Sequence, residues 1–145
     1  MNTFIPHTLT LPAQPLPLFQ SPVRAGFPSP ADDYSERRLD LNELIRHPEA
    51  TYFAHAQGDS MEDYGIRDGD LLVVDRAELA QPGKIVVAEV NGEFTVKKLG
   101  RGVLLAGNPA YPPIAINPES GVTIWGVVSY VIHAPGDHER RRVMP

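Results

Sequence analysis

The sequence predicts a mostly β protein, in which a compact, largely antiparallel β domain with one short helix follows an extended N-terminal arm. Three observations indicate this fold. Short apolar or alternating segments recur from residue 51 to residue 133, turn signals separate them, and seven of the 15 prolines lie within the first 30 residues. Strands at such short intervals are typical of antiparallel sheets, whereas clustered prolines disfavour packed structure.

The arm is predicted to span residues 1–35, extended and polyproline-like, without packed structure. Its stretch SPVRAGFPSP, at 21–30, places a small Ala25-Gly26 pair between Pro22 and Pro28. Composition leaves two interpretations of that pair open. It is either part of a passive linker or a peptide bond that is presented to a peptidase.

The predicted domain covers residues 36–135 and begins with a short helix over residues 40–46. Asp40 can cap its first turn, Glu43 lies where a capping box requires an acid, and His47-Pro48 ends it. Beyond the domain, residues 136–145, with the charged run DHERRR, are predicted to be a flexible, solvated tail.

Six strands are predicted after the helix, because apolar runs alternate with turn residues. Between two of them lies Asn91-Gly92, the strongest short-range signal for a two-residue β-hairpin with a type I′ turn. The predicted strands lie within residues 51–57, 68–75, 83–90, 93–99, 102–107 and 122–133.

Composition excludes several classes of function. The formal net charge of −5 disfavours a protein that binds DNA or RNA by itself, and the absence of cysteine removes disulfides, thiolate nucleophiles and sulfur-based zinc sites. There is no phosphate-binding glycine loop and no zinc-binding His-Glu-x-x-His motif, so neither a cofactor nor a metal is predicted. The N-terminus lacks the basic region of a signal peptide, and residues 121–133 are too few to span a bilayer, so we expect a cytoplasmic protein without a membrane anchor.

Ser60 is the first candidate for chemistry, in the stretch QGDSMED at 57–63. Gly58 allows a close backbone approach, and a serine in such a turn can expose its hydroxyl among backbone N–H groups. By itself the stretch is also compatible with an ordinary turn in which Asp59 and Ser60 bond to local amides.

A lysine is the second candidate, since Lys97 and Lys98 are consecutive in a predicted strand and must point to opposite faces. Parity does not decide which of them is buried. Lowering a lysine pKa from about 10.4 to about 7 requires roughly 4–5 kcal/mol against the charged form, which is useful where a neutral amine must take a proton from a serine. Two lysines that protect an edge strand from aggregation remain the alternative.

These motifs together resemble the LexA/UmuD family of self-cleaving Ser-Lys peptidases, known as S24. The resemblance rests on GDSM at 58–61, DGDLLVVD at 68–75 and NGEFTVKKL at 91–99, in this order. The stretches GFPSP at 26–30, DY at 33–34, DLN at 40–42 and ATYF at 50–53 resemble the UmuD branch in particular. The similarity runs from about residue 18 to residue 133, and it implies the fold of the LexA/UmuD C-terminal peptidase domain.

The resemblance implies a mechanism as well. Ser60 corresponds to the nucleophile, Lys97 to the general base, and Ala25-Gly26 to the bond that is cut. Backbone N–H groups near Ser60, assigned to Asp59 and Ser60, would stabilise the oxyanion.

Partners also follow from the resemblance. UmuD-like proteins are stimulated by RecA filaments on single-stranded DNA, and their trimmed product forms a homodimer that joins a UmuC-type subunit in an error-prone translesion polymerase. Only 25 residues precede Gly26, which leaves no room for the helix-turn-helix domain of a LexA-type repressor, so no direct sequence-specific DNA binding is expected.

Two other functions are compatible with the sequence. One is a binding subunit with the same fold, a polymerase accessory protein in which Ser60 and Lys97 no longer act as catalysts. The other is a Ser-His hydrolase in which His55, five residues before Ser60, is the base.

Overall fold

The computed structural model describes residues 12–19, 22–28 and 36–136. The predicted tail from residue 137 onward therefore lies outside the described residues. Backbone contacts divide the chain into two compact units, with the boundary between Glu49 and Ala50. Among the described residues, no helix is long and apolar enough to cross a lipid bilayer.

The first unit contains a two-stranded antiparallel sheet. Strand β1 (Pro15–Phe19) pairs with β2 (Glu36–Asp40), and the register runs from Pro15 opposite Asp40 to Phe19 opposite Glu36. The side chains of β1 are exposed. Strand β1 lies within the predicted arm and is extended, and the sequence did not reveal its pairing with β2. A strand with a neighbour on one side only tolerates proline where the missing N–H would face away from the partner.

The predicted short helix is a single 3₁₀ turn, Leu41–Leu44. Asp40 caps it as expected, because its Oδ1 accepts a hydrogen bond from the backbone N–H of Asn42 at 3.0 Å. Ile45 is already extended, so the turn ends before His47-Pro48. Four residues are too few to establish an α-helix, whose first turn is costly to form. Two further 3₁₀ turns are Pro48–Ala50 and Glu62–Tyr64.

The second unit is built on a seven-stranded sheet in the order β3-β4-β9-β5-β6-β7-β8, and every pairing in it is antiparallel. This architecture confirms the predicted fold class. Each of the six predicted strands is present, while the two-residue β8 is too short for a sequence pattern to reveal. The strands are β3 (Thr51–His55), β4 (Leu71–Asp75), β5 (Ile85–Val90), β6 (Glu93–Leu99), β7 (Val103–Leu105), β8 (Ile114–Ala115) and β9 (Val122–Ile132).

The β5–β6 hairpin turns at Asn91-Gly92, as the sequence predicts. Both residues have positive φ, 52° and 83°, which is the backbone conformation of a type I′ turn. Val90 lies opposite Glu93, and the same register places Lys97 opposite Val86. The turn therefore fixes the face of the sheet on which Lys97 lies.

Two clusters of buried side chains stabilise the sheet. Val86 and Ala88 belong to one cluster and Val87 to the other, so the clusters lie on opposite faces of β5. Leu99, Leu104 and Val127 complete the Val86 cluster, and the two leucines join β7 to the end of β6 that carries Lys97.

Leu104 gives a test of this packing because its side chain is fully buried. We expect Leu104→Ala to lower the free energy of unfolding by about 2–5 kcal/mol, since it leaves a cavity in the core. Leu79, which is 71% exposed, is the matched control, and Leu79→Ala should change stability by no more than about 0.5 kcal/mol. Urea denaturation measures both, and equal effects would contradict the assigned core.

Candidate active site

Ser60 lies in residues 57–66, the serine segment, which follows β3. Gly58 has a φ of +91°, and its N–H donates to Asp68 Oδ1 at 2.8 Å. On the other side of Ser60, the side chains of Met61 and Ile66 are each only 3% exposed. The segment is therefore held at one end by a hydrogen bond and at the other by two apolar anchors, with Ser60 between them.

Lys97 is buried and faces this segment. Its side chain is 6% exposed, and its Nζ lies 3.2 Å from Ser60 Oγ. Val86, directly opposite in β5, and Leu99, two residues along β6, belong to the apolar cluster on the same face. Burial lowers the pKa of Lys97 below its ordinary value of 10.5, because a charged amine is poorly solvated there.

Lys98 has different surroundings, which resolves the ambiguity that strand parity left open. It is half-buried, and its Nζ lies 5.0 Å from the centre of the Tyr64 ring. Of the two consecutive lysines, Lys97 is therefore the buried one, and its amine is the one within hydrogen-bond distance of Ser60 Oγ.

The sequence assigns the oxyanion to the backbone N–H groups of Asp59 and Ser60, the residue before the hydroxyl and the serine itself. Within the described part of the chain, no backbone carbonyl or side chain accepts a hydrogen bond from either group. Such N–H groups can stabilise a negatively charged oxygen that forms beside Ser60 Oγ. The segment thus carries the Ser60 hydroxyl and two candidate oxyanion donors, and β6 places the amine of Lys97 beside that hydroxyl.

A cleft of about 240 Å³ opens at Ser60. Its walls combine apolar side chains, Met61 and Ile66 from the serine segment and Phe94 and Val96 from β6, with the polar Gln57 and Thr95. Strand β7 pairs with β6 only at Lys98 and Leu99. The edge of residues 93–96 that faces away from β5 is therefore not paired with β7, and residues 94–96 line the cleft at Ser60.

A second loop, residues 107–111, contacts the serine segment, and the sequence did not reveal it. Gly107 N–H donates to the Ser60 carbonyl at 2.6 Å, Asn108 Nδ2 donates to the Asp59 carbonyl at 3.3 Å, and Tyr111 Oη donates to Asp59 Oδ1 at 2.8 Å. The composition of GNPAY signals a turn. A contact with residues about fifty positions earlier has no local signal.

His55 is placed differently from the Ser-His hypothesis. Its Nδ1 lies 3.3 Å from the carbonyl oxygen of Gly69, and the side chain is exposed. The described side chain that lies within hydrogen-bond distance of Ser60 Oγ is that of Lys97. The geometry favours the lysine as the base.

Ala25 and Gly26 lie in the first unit, in an exposed bend over residues 25–27. The flanking Val23 and Phe27 are 78% and 81% exposed. Among the described residues, no atom beyond the chain neighbours lies within 4 Å of the position that a Cβ on Gly26 would occupy, so the space beside Gly26 is open.

Comparison with known proteins identifies relatives of this chain. Residues 17–129 match the model of a family described as peptidase S24-like. The chain is 52% identical over 124 residues to the protein ImpA of Salmonella typhimurium, which covers 81% of this chain and 83% of ImpA. It is 54% identical to SamA of the same species over 121 residues (81% of this chain, 84% of SamA), and 48% identical to MucA of Escherichia coli over 120 residues (79% and 82%).

The buried amine predicts a pH dependence of stability. Between the lowered folded-state pKa of Lys97 and the ordinary value of 10.5, the unfolded chain holds a proton that the folded chain lacks. The stability of a Ser60→Ala chain should therefore rise with pH across that window.

In the same Ser60→Ala background, Lys97→Met should be more stable near pH 7, because no charged amine is buried, and should lose this contribution to the rise with pH. Urea denaturation at a series of pH values measures the difference. If the two chains show the same pH dependence, the amine of Lys97 is not desolvated by folding.

Proposed function

Because the chain belongs to the peptidase S24-like family, we propose that it is a self-cleaving serine peptidase, with Ser60 as nucleophile, Lys97 as general base and Ala25-Gly26 as the bond that is cut. The observation that carries this proposal is the 3.2 Å distance between Ser60 Oγ and the buried Nζ of Lys97. A serine hydroxyl is a weak nucleophile until a neighbouring base takes its proton.

The reaction begins with proton transfer from Ser60 Oγ to the neutral amine of Lys97. Oγ then attacks the carbonyl carbon of Ala25, and the N–H groups of Asp59 and Ser60 stabilise the oxyanion. When the intermediate collapses, Lys97 gives its proton to the leaving amine of Gly26. Water then hydrolyses the ester between Ala25 and Ser60, and Lys97 again serves as the base.

Burial of Lys97 determines the rate at a given pH. A protonated amine cannot accept the serine proton, so the active fraction is the fraction of neutral Lys97. Because burial lowers the pKa of this amine, that fraction is larger at every pH than it would be for a lysine in water.

The substrate segment suits this chemistry. Its exposed bend at residues 25–27 is flanked by Pro22 and Pro28, which limit competing secondary structure. Ala25 and Gly26 have the smallest side chains available, so neither obstructs the approach of a nucleophile. Peptidases bind substrates as extended chains that can pair with a strand edge, so the bend at residues 25–27 would straighten on binding.

The proposal extends to a role in the SOS response to DNA damage. RecA filaments on single-stranded DNA would favour the cleavage-competent position of the arm, a shift of population and not a chemical contribution. The product, starting at Gly26, would form a homodimer and join a UmuC-type subunit in an error-prone polymerase in the cytoplasm. The net charge of −5 supports contact with DNA through that partner and not directly.

Substitution of the two proposed catalytic residues tests the proposal. We expect the purified wild-type chain at alkaline pH to produce a new N-terminus at Gly26, detected by mass spectrometry. Ser60→Ala and Lys97→Ala should each reduce the cleavage rate at least about a hundredfold, because one lacks the nucleophile and the other the base.

Lys98→Ala and His55→Ala are the matched controls, since each removes a neighbouring basic side chain. Both should cleave at a rate close to that of the wild-type chain. Cleavage that persists in Ser60→Ala would contradict the proposed self-cleaving peptidase. It would favour the binding subunit, in which Ser60 and Lys97 are not catalysts. Loss of cleavage in His55→Ala, with Lys97→Ala unaffected, would make His55 the base.

Stimulation by RecA is a separate prediction. At neutral pH, addition of RecA, single-stranded DNA and ATP should accelerate cleavage of the wild-type chain and leave Ser60→Ala uncleaved, because RecA supplies no nucleophile. Gel electrophoresis over time measures the rate. Equal cleavage rates with and without ATP, in the presence of RecA and single-stranded DNA, would contradict stimulation by an ATP-dependent RecA filament.

A further inference from the structure

We propose that Asn108 and Tyr111 are positioning residues for self-cleavage, which hold Asp59 so that the N–H groups beside Ser60 point at the oxyanion. The inference rests on the proposed function, because it concerns the same site. It arises from the 107–111 loop, whose backbone and side chains contact both ends of the Asp59–Ser60 peptide unit.

Asn108 acts on the peptide bond that precedes Ser60. Its Nδ2 donates to the carbonyl oxygen of Asp59 at 3.3 Å. That oxygen and the N–H of Ser60 belong to one planar peptide group, in which they point in opposite directions. A donor that fixes the oxygen therefore also fixes the direction of the Ser60 N–H.

Tyr111 holds the side chain of the same residue. Its hydroxyl donates to Asp59 Oδ1 at 2.8 Å, so Asp59 is held by both its backbone and its carboxylate. The hydrogen bond to Asp59, with the charge of that carboxylate, raises the pKa of Tyr111 above its ordinary value of 10.0. A raised pKa favours the protonated phenol, which is the form that donates to Asp59.

The backbone of Gly107 joins the loop to the serine segment at two further points. Its N–H donates to the Ser60 carbonyl at 2.6 Å, and its carbonyl accepts from the N–H of Asp63 at 2.9 Å. A Cβ on Gly107 would lie 2.7 Å from the Tyr64 ring, so a glycine allows this close approach. Asn108 and Tyr111 thus start from an anchored position.

The ring of Tyr111 also lies near Lys97, so a variant must remove the hydrogen bond to Asp59 and leave this ring contact in place. The Nζ of Lys97 is 5.7 Å from the centre of the Tyr111 ring, a distance at which the ring weakly favours the charged amine. Removing the hydroxyl alone leaves this ring in place. Tyr111→Phe therefore breaks the bond to Asp59 without changing the aromatic face that Lys97 meets.

The test is the rate of cleavage at Ala25-Gly26 as a function of pH, followed by mass spectrometry. In Tyr111→Phe we expect the rate at the alkaline plateau to fall about tenfold, less than the loss of an oxyanion donor itself, with the midpoint of the rise unchanged. Asn108→Asp should give a similar fall. It loses the donor to Asp59 and keeps the Oδ1 that accepts from the Ala110 N–H at 2.9 Å.

Tyr130→Phe is the matched control, because both tyrosines are 43% exposed, and it should cleave like the wild-type chain. Wild-type plateau rates in both loop variants overturn the inference and leave the proposed function intact. So does a change limited to the thermal unfolding midpoint, or a shift of the pH midpoint with an unchanged plateau. Absence of cleavage in the wild-type chain overturns the proposed function and this inference with it.

Discussion

The buried amine of Lys97 is the constraint on which the described site depends. A charged lysine is rarely buried without a partner, and here Ser60 Oγ, at 3.2 Å, is a neutral neighbour that does not compensate the charge. Burial therefore favours the neutral amine, and the surrounding sheet maintains that burial. The register of the β5–β6 hairpin sets Lys97 opposite Val86, and the packing of β7 against Leu99 closes the end of the strand.

The serine segment supplies the hydroxyl that lies beside the Lys97 amine. Met61 and Ile66 anchor it to the apolar cluster on the opposite face from Val86, and the 107–111 loop fixes its backbone. Ser60 and the N–H groups beside it come from the serine segment, and the amine of Lys97 comes from β6, so two distant stretches of sequence meet only in the folded sheet. The strand keeps the amine buried, and the 107–111 loop holds the backbone of the serine segment.

Local signals in the sequence were reliable where local chemistry decides the structure. The Asn91-Gly92 turn and the Asp40 cap were predicted because each depends on a few adjacent residues. The choice between Lys97 and Lys98 was not available from alternation, since burial depends on what packs on each face; the family resemblance supplied it. The pairing of β1 with β2 and the contact of Asp59 with Tyr111 were missed for a related reason. Both join residues at least 17 positions apart, and neither leaves a periodic pattern.

Trapping the covalent intermediate tests the central claim, that Ser60 itself attacks the Ala25 carbonyl, most directly. Hydroxylamine competes with water for an ester, so cleavage of the wild-type chain in its presence should release residues 1–25 with a C-terminal hydroxamate, identified by mass spectrometry. The hydroxamate fraction should rise with hydroxylamine concentration. If the released fragment always ends in a free carboxylate, no acyl-enzyme forms at Ser60, and the account of the site is wrong.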